Sequence, residues 1–336
     1  MTRSIPIIKV ENLSKFYRVW NRKPGLLGAA KHLFSRKYQI IKAVDGIDFE
    51  IREGEAVGYI GRNGAGKSTT IKMLTGILVP SDGIVTVDGI IPYRKRSENG
   101  KKIGVVFGQR THLRWDIPVQ ESFRLLKEIY EIPKPIFEKN LKLFDKVLEL
   151  GGLITKPVRK LSLGQRMKCG LAAAFLHDPK IVYLDEPTIG LDIIIKENLR
   201  QFIKLLNKEM GTTVILTTHD LRDIEDICHR SIIIEKGRVV FDGELSDIRE
   251  KYAGHKTLIF DVKKNIGHED AQRLRAIPGA EAVDIEDRVA KLHVDHEISP
   301  SSEVMKRVME ILDVADMSTE EPSIESVVKA IYQEHR

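Results

Sequence analysis

Residues 55–77 read EAVGYIGRNGAGKSTTIKMLTGI, and the reading of this stretch decides the fold. EAVGYI is an apolar run of strand length and STTIKMLTGI has the spacing of a helix. Between them GRNGAGKS, at 61–68, fits the pattern G-x-x-x-x-G-K-[ST] in full. Gly61, Gly64 and Gly66 permit backbone conformations in which successive N–H groups face a polyphosphate, and the positive end of the following helix adds to them. Lys67 is expected to reach the β and γ phosphates and Ser68 a magnesium ion. The predicted nucleotide site is thus Arg62, Asn63, Gly64, Ala65, Gly66, Lys67, Ser68 and Thr69, and a nucleoside triphosphate with Mg2+ is the expected ligand.

Outward from this loop, residues 43–250 alternate strand-like runs (AVDGIDFEI, IGVVFG, IVYLDE, TVILTTH, SIIIEKGRVVFDG) with helical ones (FRLLKEIY, FEKNLKLFDKVLEL, IKENLRQFIKLLNKEM). That alternation predicts an α/β domain with a largely parallel sheet. Between about 110 and 178 nothing reads as a strand, so a helical lobe is inserted there; LSLGQ, at 161–165, opens a helix within it. IVYLDE at 181–186 ends an apolar run in two carboxylates, as a buried strand does when it presents acids beside a bound phosphate. Asp185 is expected to hold the magnesium and Glu186 to polarise the attacking water. His219, in TTHD after another strand, can donate to the γ-phosphate or to that water. Gln109, in VVFGQR, can contact magnesium and water while joining sheet to lobe, because an amide both donates and accepts.

Composition narrows the class. Of 336 residues 42% are hydrophobic and 30% charged, and no apolar run approaches the roughly 18–20 residues needed to cross a bilayer. Lys9 and Glu11 interrupt the start before a secretory signal can form, so a cytoplasmic chain is expected. Cys169 and Cys228 lack zinc or redox spacing and read as small buried hydrophobes. The net charge of +6 is uneven: residues 255–336 hold 11 Lys/Arg against 17 Asp/Glu, and the first 254 hold 43 against 31. Residues 12–44 contain no acid at all but carry Lys15, Arg18, Arg22, Lys23, Lys31, Arg36, Lys37 and Lys42. This basic insert, about 18–42, is either a solvated excursion between two strands or a basic, partly amphipathic face for an anionic membrane surface or a membrane-protein partner.

After Gly254 the pattern resets to strand, helix, strand, strand, helix, strand, which is the split βαβ (ferredoxin-like) arrangement, with a final helix added. The expected division is therefore a nucleotide-binding domain at 1–250 and a small α+β domain at 255–336. His255, His268, His293 and His296 are scattered without ligand-like partners, so this domain reads as a dimer contact, a regulatory module or a passive stabiliser.

The ordered set GRNGAGKS, Gln109, LSLGQ, IVYLDEP, IGLD at 189–192 and His219 resembles the ATPase subunit of ATP-binding cassette (ABC) transporters over residues 5–245. The resemblance implies a P-loop NTPase core and a head-to-tail dimer in which the signature loop of one copy (Ser162, Leu163, Gly164, Gln165) closes on the γ-phosphate held by the other. It implies a D-loop at Asp192 and an adenine-stacking aromatic at Tyr17. The usual signature is LSGGQ, and this chain carries Leu163 in place of its first glycine. The strings FGQRTHLRWDIPVQESF and LSLGQRMKCGLAAAFLHDPKIVYLDEPTIGLD are similar to a subgroup whose ATPase is a separate polypeptide serving an export-type membrane subunit. The resemblance further implies an ATPase powering export, peripheral on the cytoplasmic face of the membrane and docked to a permease through residues 109–130. Trp115 belongs either to that docking surface or to the interior of the lobe. The alternative is an ABC ATPase acting on ribosomes or nucleic acid. Such relatives usually carry two cassettes or a long coiled coil; this sequence has neither, so no nucleic-acid partner is expected.

Overall fold

The computed structural model describes residues 5–20, 38–108, 111–247, 255–295, 298–320, 327–328 and 331–332. The chain divides into two compact units, Met1–Asp242 and Gly243–Arg336.

In the first unit, β1 (Ile8–Trp20) and β2 (Tyr38–Ile51) form a long antiparallel pair, and β3 (Ala56–Gly61) leads into α1 (Lys67–Leu74). β4 (Asp82–Val87) joins β1 on its other side, giving a small antiparallel sheet in the order β2-β1-β4. Then come β5 (Ile103–Phe107), the helices α2 (Val119–Ile129), α3 (Lys134–Leu148) and α4 (Leu163–Phe175), and β6 (Ile181–Asp185). The unit continues with α5 (Ile193–Met210), β7 (Thr213–Thr217), α6 (Leu221–Ile227), β8 (Arg230–Glu235) and β9 (Arg238–Glu244). The main sheet runs β5-β6-β7-β3-β8-β9, and every pairing from β5 to β8 is parallel. Its inner strands are buried because both faces are covered: all six residues of β3 and all five of β7 have little exposed surface.

Among the described residues between 111 and 178 there is no strand, and α2, α3 and α4 form the inserted lobe. Phe202 of α5 meets Phe144 of α3 and Phe175 of α4 edge-on, with centroids 5.3 and 5.7 Å away, so an aromatic cluster ties lobe to sheet layer. Cys169 and Cys228 are both buried.

The second unit contains β10 (His255–Val262), α7 (His268–Arg275), β11 (Ala280–Glu286), β12 (Val289–Asp295), α8 (Ser301–Ile311) and β13 (Val314–Glu320). Its four strands pair antiparallel in the order β11-β12-β10-β13, the split βαβ topology expected from the pattern. Leu258, Phe260, Leu292 and Val294 from the sheet pack with Leu274, Val304 and Val308 from the helices. Of the expected final helix, Val327, Val328 and Ile331 are buried.

Candidate functional site

The phosphate-type loop leaves β3 at its carboxyl end and becomes α1. Its three glycines answer three different demands. A Cβ on Gly61 would lie 2.7 Å from the carbonyl oxygen of Ile234, so glycine there lets β3 close on β8. Gly64 has open space around it but a φ of +82°, and Gly66 combines a φ of +116° with the Ala43 carbonyl 2.5 Å from where its Cβ would stand. Gly66 is also the N-cap of α1, which has neither a side-chain cap nor an acid in its first turn. The orphan N–H groups at this helix end therefore stay available for an anion. Arg62, Asn63, Gly64 and Ala65 line an open depression of about 470 Å³ together with His219, Glu235 and Lys236.

Lys67 is buried, and its ammonium donates to the carbonyls of Gly61 (2.6 Å) and Arg62 (3.3 Å). Burial lowers its pKa, while the carboxylates of Glu186 and Asp185 pull it back up. Ser68 Oγ donates to Asp185 Oδ2 at 3.1 Å, and Thr217 Oγ1 donates to Asp185 Oδ1 at 2.5 Å. Two oxygens in neighbouring positions of an octahedral magnesium shell, with bonds of about 2.1 Å, stand roughly 3 Å apart. The Ser68–Asp185 pair has that spacing.

Glu186 follows directly, and its N–H donates to Thr217 O at 2.9 Å. It is not a glycine, yet its φ is +54°. Such a conformation costs on the order of 1–3 kcal/mol and persists where the surroundings enforce it, typically at functional sites. The strained turn delivers Glu186 Oε1 to within 2.6 Å of His219 Nε2. Lys67, Ser68, Asp185, Glu186 and His219, from three parallel strands and the loops after them, are thus joined by direct contacts or neighbouring charge.

LSLGQ opens a helix, as the sequence predicts, but its residues serve local ends here. Ser162 is the N-cap of α4: its Oγ accepts from Gln165 N–H (3.2 Å) and Gln165 Oε1 accepts from Ser162 N–H (3.1 Å). Leu163 is exposed only in part beyond the small cavity it lines with Val106, Thr111, His112, Arg166 and Met167, so its side chain belongs to the junction between lobe and sheet. At Gly164 a Cβ would meet Ile195 Cδ1, so a larger residue there would have to turn that side-chain end aside. Asp192 caps α5, its Oδ1 accepting from Ile195 N–H at 2.9 Å.

Gln109 lies outside the described residues, as do residues 21–37 of the basic insert. Tyr17 is part-exposed on β1, opposite Ile41, with the Lys15 ammonium 5.6 Å from its ring centre; it is not a core tyrosine. Ala43, two residues beyond Ile41 on β2, is the residue whose carbonyl crowds Gly66. Trp115 is half exposed under the Arg166 guanidinium, 5.1 Å from its ring centre, which excludes a buried lobe tryptophan.

A model of the family described as ABC transporter matches residues 44–189. The ABC transporter ATP-binding protein NatA of Bacillus subtilis is 33% identical over 217 residues, covering 65% of this chain and 88% of NatA. The chain belongs to the ABC transporter ATP-binding proteins. Methionine import ATP-binding protein MetN of Halalkalibacterium halodurans is 33% identical over 252 residues, 74% of each chain. Among solved structures, a dimeric post-hydrolysis state of the ATP-binding cassette MJ0796 bound to ADP and Pi aligns with a TM-score of 0.58 and 29% identity, over 71% of this chain and 98% of that one. The first unit is accordingly an ABC ATPase domain.

Within the ABC domain, the sequence motifs assign no role to Thr188, Arg200, Thr217 or Asp223. Thr217 sits one residue before the TH pair, and only its register opposite Asp185 reveals its role. Asp223 is fully buried and receives hydrogen bonds from Thr188, Thr218 and Arg200. No short motif announces it.

Proposed function

We propose that this chain is the ATP-hydrolysing subunit of an ABC exporter and that Glu186 is the base of its hydrolytic step. The observation that carries the reading is the strained Glu186 carboxylate, 2.6 Å from His219 Nε2 and adjacent in sequence to the Asp185–Ser68 pair. In this reading the uncapped end of α1 and Lys67 bind the phosphates. Ser68 and Asp185, with Gln109, would hold a Mg2+ ion, which would supply positive charge to the phosphates. Glu186 takes a proton from water as the water oxygen attacks the γ-phosphorus; the bond to the β–γ bridging oxygen breaks, leaving ADP and phosphate. His219 orients Glu186 and can reach the γ-phosphate, and Tyr17 stacks on adenine.

Two copies form the complete site, each giving Ser162, Gly164 and Gln165 to the other's nucleotide. The dimeric MJ0796 cassette supports this arrangement. No helix among the described residues is long and apolar enough to cross a membrane, and in this reading a separate membrane subunit completes the transporter. Export rests on the subgroup resemblance alone, since the similar MetN is named for import. We place the chain on the cytoplasmic face of the membrane. The face of the β1–β2 arm opposite Tyr17, where Arg18 and Lys42 accompany exposed Ile40, is placed against anionic lipid.

Glu186→Gln is expected to abolish hydrolysis, keep ATP binding and trap an ATP-bound dimer, read by phosphate release and by size-exclusion chromatography with ATP. Hydrolysis at the wild-type rate would remove Glu186 from the role of base. Cross-linking in native membranes is expected to capture a membrane-spanning protein; recovery with ribosomes or nucleic acid in its place would favour the non-transport alternative.

A further inference from the structure

Behind the Glu186–His219 pair lies a buried carboxylate that the hydrolytic step does not use. Asp223, in the first turn of α6, has no exposed surface. Its Oδ2 accepts from Thr188 Oγ1 (2.5 Å) and Thr218 Oγ1 (3.0 Å), and its Oδ1 accepts from Arg200 Nε (2.6 Å). Thr188 is two residues after Glu186, and Thr218 is the residue before His219. On the other side of His219, Asp220 donates its N–H to Thr218 Oγ1 (3.0 Å) and is held by Lys196 of α5 (2.8 Å). Arg200, also on α5, reaches Asp226 at 3.3 Å and Asp220 at 3.7 Å as well. One carboxylate therefore ties together the segment after Glu186, the segment carrying His219, and the helix that begins after Asp192.

We infer that Asp223, clamped by Arg200, is a positioning residue for hydrolysis: by holding Thr188 and Thr218 it sets the approach of Glu186 to His219. A fully buried carboxylate is expensive unless all its lone pairs are engaged, and here the partners are two hydroxyls and one guanidinium. Mere stability would be served as well by an apolar cluster at this place. What the polar cluster adds is a fixed geometry: hydrogen bonds of defined direction to both loops that carry the reacting pair. Removing it leaves the phosphate loop in place, because Lys67 and Ser68 bond to Gly61, Arg62 and Asp185, while Arg200 bonds to Asp223. The defect belongs in turnover and not in nucleotide affinity.

The inference rests on Glu186 and His219 forming the hydrolytic pair, which the Glu186→Gln experiment tests by itself. The test here compares Thr188→Val and Asp223→Asn with the full-length wild type. Both variants are expected to bind a fluorescent ATP analogue as the wild type does. Their kcat falls by about ten- to a hundredfold with KM for ATP little changed, the size of effect that small misplacement of reacting groups produces. Thr188→Ser, which keeps the hydroxyl, restores most of what Thr188→Val loses. Thr188→Val leaves the Asp223–Arg200 pair intact, so it reads the tether even where Asp223→Asn is too unstable to assay. Wild-type kcat in folded Thr188→Val overturns the inference, and so does a raised KM at unchanged kcat. Failure of Thr188→Ser to recover activity would also overturn it, since the hydroxyl would then not be what matters.

Discussion

Two glycine-bearing loops open helices in this chain, GRNGAGKS and LSLGQ, and they treat their helix ends in opposite ways. At α1 the first turn has no cap and no acid, and the Lys67 ammonium is buried among carbonyls. At α4 Ser162 and Gln165 cap one another and close the end without help. The first loop thus leaves its helix end open to an anion. The second is satisfied by itself, and in the proposed dimer its residues meet a nucleotide only on a neighbouring copy. The glycines differ in the same sense: Gly64 is there for its backbone angle, Gly164 for the space it leaves to Ile195.

The largest effect expected from this contrast is at Lys67. Lys67→Met keeps most of the side-chain volume but removes the charge, and should weaken ATP binding by at least about a hundredfold, since the charge proposed to bind the phosphates is lost. The melting temperature without nucleotide should move by no more than about 3 °C, because burial already disfavours that charge. Titration with an ATP analogue and thermal unfolding read the two quantities. Collapse of the fold would show that the lysine is structural and would break the comparison.

How far each loop was legible in the sequence turns on the same contrast. The P-loop, Asp185, Glu186 and His219 could be placed from sequence because each lies at the carboxyl end of an apolar, uninterrupted strand, and parallel strands bring their ends to one edge. The split βαβ order of the second unit was legible for a similar reason, as the hydrophobic period changes cleanly at each element. Leu163 was not legible: its side chain shares a cavity with Val106 and His112, residues about 50 positions earlier that only the packing of lobe on sheet brings near. Asp223 and Arg200 were missed because a buried ion pair leaves no periodic signal; in the sequence they are two more charges on polar helices.

At Gly64 and Gly164 the expected effects are intermediate. Gly164→Ala turns the Ile195 side-chain end aside and should cost no more than about 1 kcal/mol, since the obstacle is a flexible terminal methyl and not backbone. The offending atom is Ile195 Cδ1, the one carbon that Ile195→Val removes. The double variant should therefore be more stable than Gly164→Ala alone when compared by denaturant unfolding. Gly64→Ala should cost about 1–2 kcal/mol for a non-glycine residue in the left-handed region, and no neighbouring truncation should recover it. Recovery at Gly64 or its absence at Gly164 would erase the distinction between the two glycines.

The smallest effect, and the finest test, is at Ser162. Ser162→Ala removes the cap of α4 and should lower stability by about 1 kcal/mol. Ser162→Asn keeps a side-chain oxygen able to accept from the Gln165 N–H, so stability should be retained to within a few tenths of that value. If Ser162 were only a cap, hydrolysis would track stability, and the asparagine variant would work normally. If it also donates its hydroxyl to a nucleotide on the other copy, both variants lose turnover although only one loses stability. Phosphate release set beside unfolding free energy for the two variants therefore separates the local role, seen in this structure at 3.2 Å, from the intermolecular one. Loss of turnover in both variants is the expected result, and normal turnover by Ser162→Asn would confine LSLGQ to holding its own helix.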